Sequence, residues 1–427
     1  MLLFNNNNKR RHDGKKVRIF IMIAAIMALV MIEIQLYQQP LAKYQTEVKP
    51  HSNGDDYLNM LPSNQLNTDM INDREKTYPY IPYSLVSKCG LAEHTYLMNN
   101  GSIPPLHHSL GFIKPHKTGG STIAGLVNRI VDGRNLNKMI PSDSVYLGWP
   151  TKEFPGNVDL LNTVMNTTKY DAISNHAIFN PTSMKMYLRN PTFFFTILRE
   201  PISRSISAFH YFDLSNIGIT SSWKDYIAYF KHTKHVKFWH HGAMLNNLGF
   251  ALGWYDFQNN TNRSTDNDQN RTAIEMFIQE LDRELDFVLI LEHLEESLLL
   301  LRDELHGIDI AELVWNDFKV GEKKKQKTYP TEEERNEISD LLLVDRMIYE
   351  HFRSKLLDKW NQRLEKYPSN TVQVREGLLC LHNQIDLYID NQTIVPAQLK
   401  ETFQKDSIAY TQYLKQKQHE KFGLPIN

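Results

Sequence analysis

A stretch that begins at Gly111 and reads GFIKPHKTGGST combines a lysine, hydroxyl side chains and paired glycines directly after an apolar run. When such a loop connects a strand to a helix, its backbone N–H groups point toward a bound anion, and Lys117 adds a full positive charge. Residues 111–118 approximate the phosphate-binding pattern GxxxxGK[ST], except that His116 replaces the second glycine. The pattern predicts a site for a phosphate-like anion.

A second charged position follows the apolar run TFFFTIL (192–198), where Arg199 stands. A nucleotide triphosphatase needs an acidic residue at such a strand end to hold magnesium, whereas an arginine offers a planar fork of donors to another anion. Pro201 can begin a helix, and Ser207 follows Arg199 by eight residues. Two anion sites on adjacent turns suit a nucleotide with phosphate at two separated positions, such as 3′-phosphoadenosine 5′-phosphosulfate.

The elements that must position these residues alternate between strand-like and helix-like stretches, which is typical of a parallel α/β sheet. The candidate strands are LGFIK (110–114), YDAIS (170–174), TFFFTIL (192–198) and LDFVLIL (285–291). A long amphipathic stretch, residues 332–365, predicts helices that pack against the sheet and carries no obvious chemistry. The sequence therefore predicts an α/β fold, a P-loop-like parallel sheet flanked by helices.

The N-terminal part carries a candidate membrane span. Residues 17–37 contain an unbroken apolar run, Ile19 to Ile32, preceded by six basic residues and followed by none until Lys43. About 20 apolar residues cross a bilayer, and the charge asymmetry places the N-terminus in the cytoplasm. We predict a cytoplasmic tail (1–16), a signal anchor (17–37), a lumenal stem (38–85) and a lumenal catalytic domain (86–427); a cleaved signal peptide or a buried core helix are the alternatives.

A lumenal chain is open to N-glycosylation, and six Asn-x-Ser/Thr triplets are present. The candidate acceptors are Asn100, Asn166, Asn259, Asn262, Asn270 and Asn391. Three of them fall in the polar stretch 258–272, which we interpret as an exposed loop because it lacks apolar periodicity.

Cys89 and Cys380 are the two cysteines of the chain. In an oxidising lumen they would most simply form one disulfide. Two buried free thiols are the alternative that the sequence leaves open.

The chain resembles the Golgi carbohydrate sulfotransferases, most closely the galactose 3-O-sulfotransferases that include galactosylceramide sulfotransferase. The resemblance covers residues 86–365. The matching stretches are FIKPHKTGGST, ISNHAIFN, FFFTILREPISRSISAFHYF and LDFVLILEHLEESLLLLRDEL. Pro115 and the Gly119–Gly120 pair depart from the residues expected in typical members, and the C-terminal region with Cys380 has no counterpart that we align.

The resemblance implies a role for each candidate residue. The loop would bind the 5′-phosphosulfate, Arg199 and Ser207 the 3′-phosphate, while Lys117 would neutralise the leaving phosphate and His176 would act as the base. His116 and His293 are competing histidines, and the scheme requires no metal, although Glu292, His293 and Glu296 form a weak alternative metal site. The loop residues meant here are Lys114, Lys117, Thr118, Gly119, Gly120, Ser121 and Thr122.

The implied activity is transfer of a sulfuryl group from 3′-phosphoadenosine 5′-phosphosulfate to a galactose hydroxyl, the 3-hydroxyl by resemblance. The acceptor would be a glycolipid such as galactosylceramide or a glycoprotein glycan. The reaction would take place in the Golgi lumen, and the chain would be a single-pass type II membrane protein of the Golgi. A formal charge of −1 gives no bias toward nucleic acid. A lumenal P-loop kinase that acts on a sugar or protein is the main alternative, and a lectin-like head without activity is a third.

Overall fold

The computed structural model places a parallel sheet of four strands at the centre of its described residues. The strands are β1 (Ser109–Ile113), β2 (Ala172–Ile173), β3 (Thr192–Leu198) and β4 (Phe287–Ile290), in the order β2-β1-β3-β4. Every residue of β1, β2 and β4 is buried, as expected for parallel strands covered on both faces. The predicted α/β class with a parallel sheet is confirmed, and β3 has the predicted bounds.

The structure describes residues 81, 83–95, 104–142, 145–149, 154–156, 158–159, 169–212, 214, 222–232, 246–254, 267–315, 328–390, 403 and 405–425. All of these residues belong to one compact unit, Asp69–Asn427. The predicted anchor (17–37) and all but the last residues of the predicted stem lie outside them. In the part of the chain that is described, no helix is both long and apolar enough to cross a membrane.

Helices surround the sheet and connect its strands. Those of the described residues are α1 (Tyr83–Lys88), α2 (Gly120–Gly133), α3 (Pro181–Tyr187), α4 (Pro201–Tyr211), α5 (Trp223–His232), α6 (Asn247–Ala251), α7 (Asn267–Glu284), α8 (Leu294–Leu305), α9 (Glu332–Leu341), α10 (Leu343–Lys366), α11 (Pro368–Asp390) and α12 (Ser407–Phe422). The amphipathic stretch 332–365 forms α9 and α10, as predicted.

The strands that precede the loop 114–119 and Arg199 lie side by side, and a glycine makes room at their contact. Gly111 of β1 pairs with Phe194 of β3, and a Cβ at position 111 would collide with the Phe194 ring. β3 then leads directly into α4, whose first residue is Pro201 and whose N-cap Glu200 accepts hydrogen bonds from the N–H groups of Ile202 and Ser203.

One sequence expectation is wrong in part. The stretch 258–272 is interpreted above as an exposed loop, but its last six residues, 267–272, belong to α7, and residues 258–266 lie outside the described residues. Farther along this helix, Ile274, Phe277 and Leu281 are buried at helical spacing, so packing of the apolar face extends a helix into a polar segment whose own pattern does not predict one. The other five candidate glycosylation sites lie outside the described residues.

The C-terminal helices close the unit. The Sγ atoms of Cys89 and Cys380 are bonded, which joins the end of α1 to α11. Helix α12 packs along α2, where the Tyr410 hydroxyl donates to Asp132 Oδ2 at 2.9 Å. The disulfide thus joins the chain segment before β1 to α11, a helix that follows the last strand of the sheet.

Candidate functional site

The carboxyl ends of β1, β2, β3 and β4 face one edge of the sheet, as they must in a parallel arrangement. The loop 114–119 follows β1, His176 follows β2, and Arg199 follows β3. The loop, Arg199 and the candidate base His176 therefore lie at the same edge.

The loop after β1 has the backbone of an anion cradle. Gly119 is the N-cap of α2 with φ 81°, and no side chain caps this helix end. Lys117 also has a positive φ, 64°, which a residue other than glycine adopts at a cost in conformational energy. A Cβ on Gly120 would lie 2.8 Å from Lys114 Cγ and 3.3 Å from the Pro115 carbonyl oxygen. Gly120 thus lets Lys114 pack against the start of α2, whose first turn, with Ser121 and Thr122, has no side-chain cap and is of the kind that binds anions.

Three hydrogen bonds hold this loop in place. The Thr118 hydroxyl donates to the Pro115 carbonyl at 3.3 Å, and the His116 N–H donates to Asn247 Oδ1 at 3.1 Å. Arg199 Nη1 donates to the Lys117 carbonyl at 3.3 Å. The arginine of the second anion site is therefore directly attached to the first.

Lys117 is the cation that faces outward from the loop. Its Nζ lies 3.7 Å from the centre of the Tyr211 ring at the end of α4, a cation–π contact. Burial, and then the nearby Arg199 guanidinium, lower the pKa of Lys117 to about 8. The ammonium remains mostly protonated at pH 7, and a bound anion would raise this pKa again.

Lys114 has a different environment from the one expected of a donor-binding residue. Its side chain is buried, and Nζ donates to the Ser407 hydroxyl of α12 at 3.1 Å. Burial lowers its pKa to about 8, against the raising effect of Asp406. Lys114 thus connects the start of the loop to the C-terminal helix.

The second anion site centres on Arg199. Burial lowers the pKa of this guanidinium, and the Glu292 and Glu200 carboxylates oppose that effect, so the group stays charged near neutral pH. Glu292 Oε1 accepts the Glu200 N–H at 3.0 Å, and Oε2 accepts the Tyr349 hydroxyl at 3.1 Å. Ser207 lies half-buried on α4, two turns after Pro201.

His176 has the geometry of a neutral imidazole. Its Nδ1 lies 2.7 Å from the Lys114 carbonyl, and because a carbonyl only accepts, Nδ1 carries the hydrogen and Nε2 keeps a lone pair. The His116 ring stacks on it at 3.9 Å, with an interplanar angle of 7°. Burial, then His116 and then Lys114 hold the pKa of His176 well below its usual value of 6.5. His293, by contrast, is the N-cap residue of α8.

Two features of the site have no signal in the local sequence. Residues 145–149 run beside His176, because the His176 N–H donates to the Val145 carbonyl at 3.1 Å and the Leu147 N–H donates to the His176 carbonyl at 2.8 Å. Their aromatic side chains Tyr146 and Trp149 lie near the two stacked histidines. No motif in this segment marked it as part of the site.

The second missed feature is a buried polar network behind the loop. Asp345 of α10 accepts hydrogen bonds from the N–H groups of Leu248 (3.1 Å) and Gly249 (2.8 Å) at the start of α6, the helix that also carries Asn247. Burial raises the pKa of Asp345 to about 6, and the buried Arg204 of α4 opposes this rise. Helices α4, α6 and α10 are thereby fixed relative to the loop.

The weak alternative metal site is not assembled. Within the described residues, no group of three His, Cys, Asp or Glu side chains is placed to hold a metal ion. Glu292 is bonded to Glu200 and Tyr349, and Glu296 Oε1 pairs with Arg375 at 2.9 Å. These carboxylates serve helix packing.

At the carboxyl edge of the parallel sheet, an uncapped helix start, an adjoining arginine and a neutral histidine lie together. The chain belongs to the galactose-3-O-sulfotransferase family, whose family model matches residues 72–381, and it is therefore a sulfotransferase. The matched region is longer than the stretch 86–365 on which the resemblance was based, and it includes Cys380.

Similar proteins support the same assignment. Galactose-3-O-sulfotransferase 2 of Mus musculus is 26% identical over 318 residues, which are 69% of this chain and 76% of that protein. The Homo sapiens galactose-3-O-sulfotransferase 2 is 27% identical over 261 residues, 59% of this chain and 61% of that protein. The Homo sapiens galactose-3-O-sulfotransferase 3 is 24% identical over 213 residues, 48% and 46% of the two chains.

Proposed function

We propose that this sulfotransferase transfers a sulfuryl group from 3′-phosphoadenosine 5′-phosphosulfate to the 3-hydroxyl of a galactose. The acceptor is a terminal galactose of a glycolipid such as galactosylceramide or of a glycoprotein glycan. The observation that carries the proposal is the contact between the two anion sites, Arg199 to the Lys117 carbonyl, in a chain of the galactose-3-O-sulfotransferase family.

The residues present fit this donor. The start of α2, which no side chain caps, offers backbone N–H groups to the 5′-phosphosulfate. Lys117 adds charge at the same loop, and Arg199 with Ser207 serves the 3′-phosphate. Thr118, Ser121 and Thr122 contribute to the loop and its first helical turn, and Lys114 holds the loop to α12.

When bound, the donor supplies an activated sulfuryl group, and the chain supplies position, charge and a proton acceptor. Nε2 of His176 takes the proton of the galactose hydroxyl as that oxygen forms its bond to sulfur. Lys117 stabilises the negative charge that develops on the leaving phosphate. The scheme needs no metal ion for either task.

We further propose that the catalytic domain lies in the Golgi lumen on a chain anchored by residues 17–37. The apolar run and its basic N-terminal flank support this topology. The Cys89–Cys380 disulfide is in keeping with an oxidising compartment. Digestion of the expressed protein with an N-glycosidase should lower its apparent mass, and an unchanged mass would remove the lumenal assignment.

The test is a transfer assay with the full-length protein in detergent. Radiolabelled 3′-phosphoadenosine 5′-phosphosulfate is supplied with galactosylceramide or a galactose-terminated glycan, in the presence of a chelator, and the product linkage is determined by NMR. We expect label at the galactose 3-oxygen. Transfer only from ATP and only with magnesium would instead favour the P-loop kinase, and nucleotide-independent glycan binding without transfer would favour a lectin.

A further inference from the structure

Two buried polar atoms beside the proposed base have no hydrogen-bond partner among the residues that the structure describes: Trp149 Nε1 and Asn175 Oδ1. Both side chains are 5% exposed. Leaving a donor or acceptor buried and unpaired costs about 1–3 kcal/mol, and native proteins rarely do so without a functional reason. One of these atoms can only donate, and the other can only accept.

Both atoms belong to the segments that hold His176. Asn175 precedes the base in the chain, and its Nδ2 donates to the Val145 carbonyl at 3.4 Å. The opposite amide orientation would place an oxygen against that carbonyl, so Oδ1 is the atom left unpaired. The Trp149 ring lies 6.3 Å from the His176 ring and 4.9 Å from the His116 ring.

The surroundings of Trp149 are aromatic. Its ring packs edge-on against Phe250 at 4.9 Å, and Tyr146 lies 5.4 Å from His176. Ligand sites combine apolar and aromatic walls with a few polar groups that fix orientation. A sugar suits such walls because it presents apolar C–H faces together with hydroxyls that donate and accept.

We infer that Trp149 Nε1 and Asn175 Oδ1 are hydrogen-bonding positions of the acceptor-sugar subsite. The Trp149 N–H donates to one hydroxyl oxygen of the galactose, and Asn175 Oδ1 accepts from another hydroxyl. Because both residues adjoin His176, the hydroxyls they meet are those next to the reacting 3-oxygen, at carbons 2 and 4. The inference rests on the proposed function and extends it to acceptor recognition.

A site of this kind selects against sugars that lack the matching hydroxyl. Without it, the buried protein atom stays unpaired in the complex, and discrimination is stronger than loss of a simple contact would give. The wild-type protein should therefore use 2-deoxy- and 4-deoxygalactosides about 10- to 100-fold less efficiently in kcat/KM than the parent galactoside. The 6-deoxygalactoside should be used nearly as well as the parent.

The decisive variant is Trp149→Phe, which keeps an aromatic ring and removes the N–H. We expect a loss of about 10- to 100-fold on the parent galactoside, mainly in the acceptor KM, with unchanged affinity for adenosine 3′,5′-bisphosphate. One of the two analogues, 2-deoxy or 4-deoxy, lacks the hydroxyl that Trp149 binds. On that analogue the kcat/KM of the variant should equal that of the wild type. Trp254→Phe, which alters a buried tryptophan packed on Phe277, is the matched control and should change none of these ratios.

Asn175→Ala is the second test. The kcat/KM of this variant should be the same for the parent galactoside and for the other of these two analogues. If either variant lost kcat/KM equally on the parent galactoside and on all three deoxy analogues, the inference would be overturned. A packing defect, or the loss of a structural water, would give that result. Unchanged kinetics in both variants would overturn it as well. Failure of the proposed function is distinguishable, because the wild-type protein would then transfer no sulfuryl group to any galactoside.

Discussion

The two halves of the candidate site are built in different ways. On the donor side, the loop 114–119 is held by side-chain contacts to Asn247, Arg199 and Ser407. On the acceptor side, His176 is held by main-chain hydrogen bonds to residues 145–149 and by its Nδ1–H bond to the Lys114 carbonyl, and two buried polar atoms beside it remain unpaired. Both halves therefore keep hydrogen-bonding capacity for a ligand: the donor half in backbone N–H groups at the uncapped start of α2, and the acceptor half in two buried side-chain atoms.

This difference has a functional consequence. A preorganised charged loop costs little reorganisation when an anionic nucleotide binds. Unpaired groups on the acceptor side make specificity depend on the sugar that satisfies them. We therefore expect substitutions of Trp149 and Asn175 to change the use of the acceptor and to leave the nucleotide affinity intact.

The largest expected effect is that of His176→Ala. Removal of the proton acceptor should lower turnover by ~10²- to 10⁴-fold and leave the affinity for adenosine 3′,5′-bisphosphate nearly unchanged. Because the pKa of His176 is held well below 6.5, the wild-type acid limb should lie below pH 6.5, where the imidazole becomes protonated, and it should vanish in the variant. Steady-state kinetics against pH measure both.

His293→Ala is the control for this experiment, since His293 only begins α8. His116→Ala tests the stacked partner. If His293→Ala or His116→Ala loses turnover and the acid limb while His176→Ala keeps both, the base has been assigned to the wrong histidine.

Lys117→Ala comes next and addresses the donor half. The lysine interacts most strongly with charge that develops on the leaving phosphate, so turnover should fall by on the order of 100-fold or more. In the wild-type enzyme, the pKa of about 8 predicts a decline of kcat/KM above pH 8, as the ammonium loses its proton. Lys117→Arg should move that decline to higher pH, and near-normal turnover of a folded Lys117→Ala variant would exclude this loop as the donor site.

A smaller and more selective effect is expected from Arg199→Lys. Lysine keeps the charge but loses the planar fork, so affinity for adenosine 3′,5′-bisphosphate should fall about 10-fold, equivalent to about 1.4 kcal/mol. Affinity for adenosine 5′-phosphate, which lacks the 3′-phosphate, should change much less. Calorimetric titration with both nucleotides measures the difference. If the variant lost affinity equally for both nucleotides, Arg199 would not be a ligand of the 3′-phosphate.

The smallest effect on catalysis should come from Asp345→Asn. Asp345 lies behind the loop 114–119. Loss of the buried charge that faces Arg204 should lower the free energy of unfolding by about 3 kcal/mol, while turnover per folded molecule changes less than threefold. Denaturant unfolding and active-site titration separate the two quantities. Asp340→Asn, at an exposed position of α9, should alter neither, and an undiminished stability of Asp345→Asn would remove the network as a support of the loop.

The placement of the proposed donor-binding residues could be predicted from sequence because its determinants are local. A strand, a glycine-bearing turn and a helix follow one another in a single stretch, and β3 with Arg199 repeats that order. The acceptor half and the support of the loop depend on contacts between distant segments, such as His116 with Asn247 or His176 with residues 145–149. Local periodicity carries no information on such pairings.

The same limit applies to Lys114 and Asp345. Lys114 was assigned to the donor by its place in the loop, but its buried ammonium contacts Ser407 of a helix that lies beyond the family match. Asp345 sits in a helical stretch that showed no chemistry in its pattern, yet it fixes the start of α6. In both cases the role follows from the tertiary partner and not from the residue type.

We propose that the loop 114–119 and Arg199 together bind one nucleotide with separated phosphates. The most direct test is a calorimetric titration of the full-length wild-type protein with adenosine 3′,5′-bisphosphate in the presence of a chelator. We predict saturable binding with one site per chain, weaker binding of adenosine 5′-phosphate, and no requirement for magnesium. No binding, or binding that appears only when magnesium is added, would contradict the account.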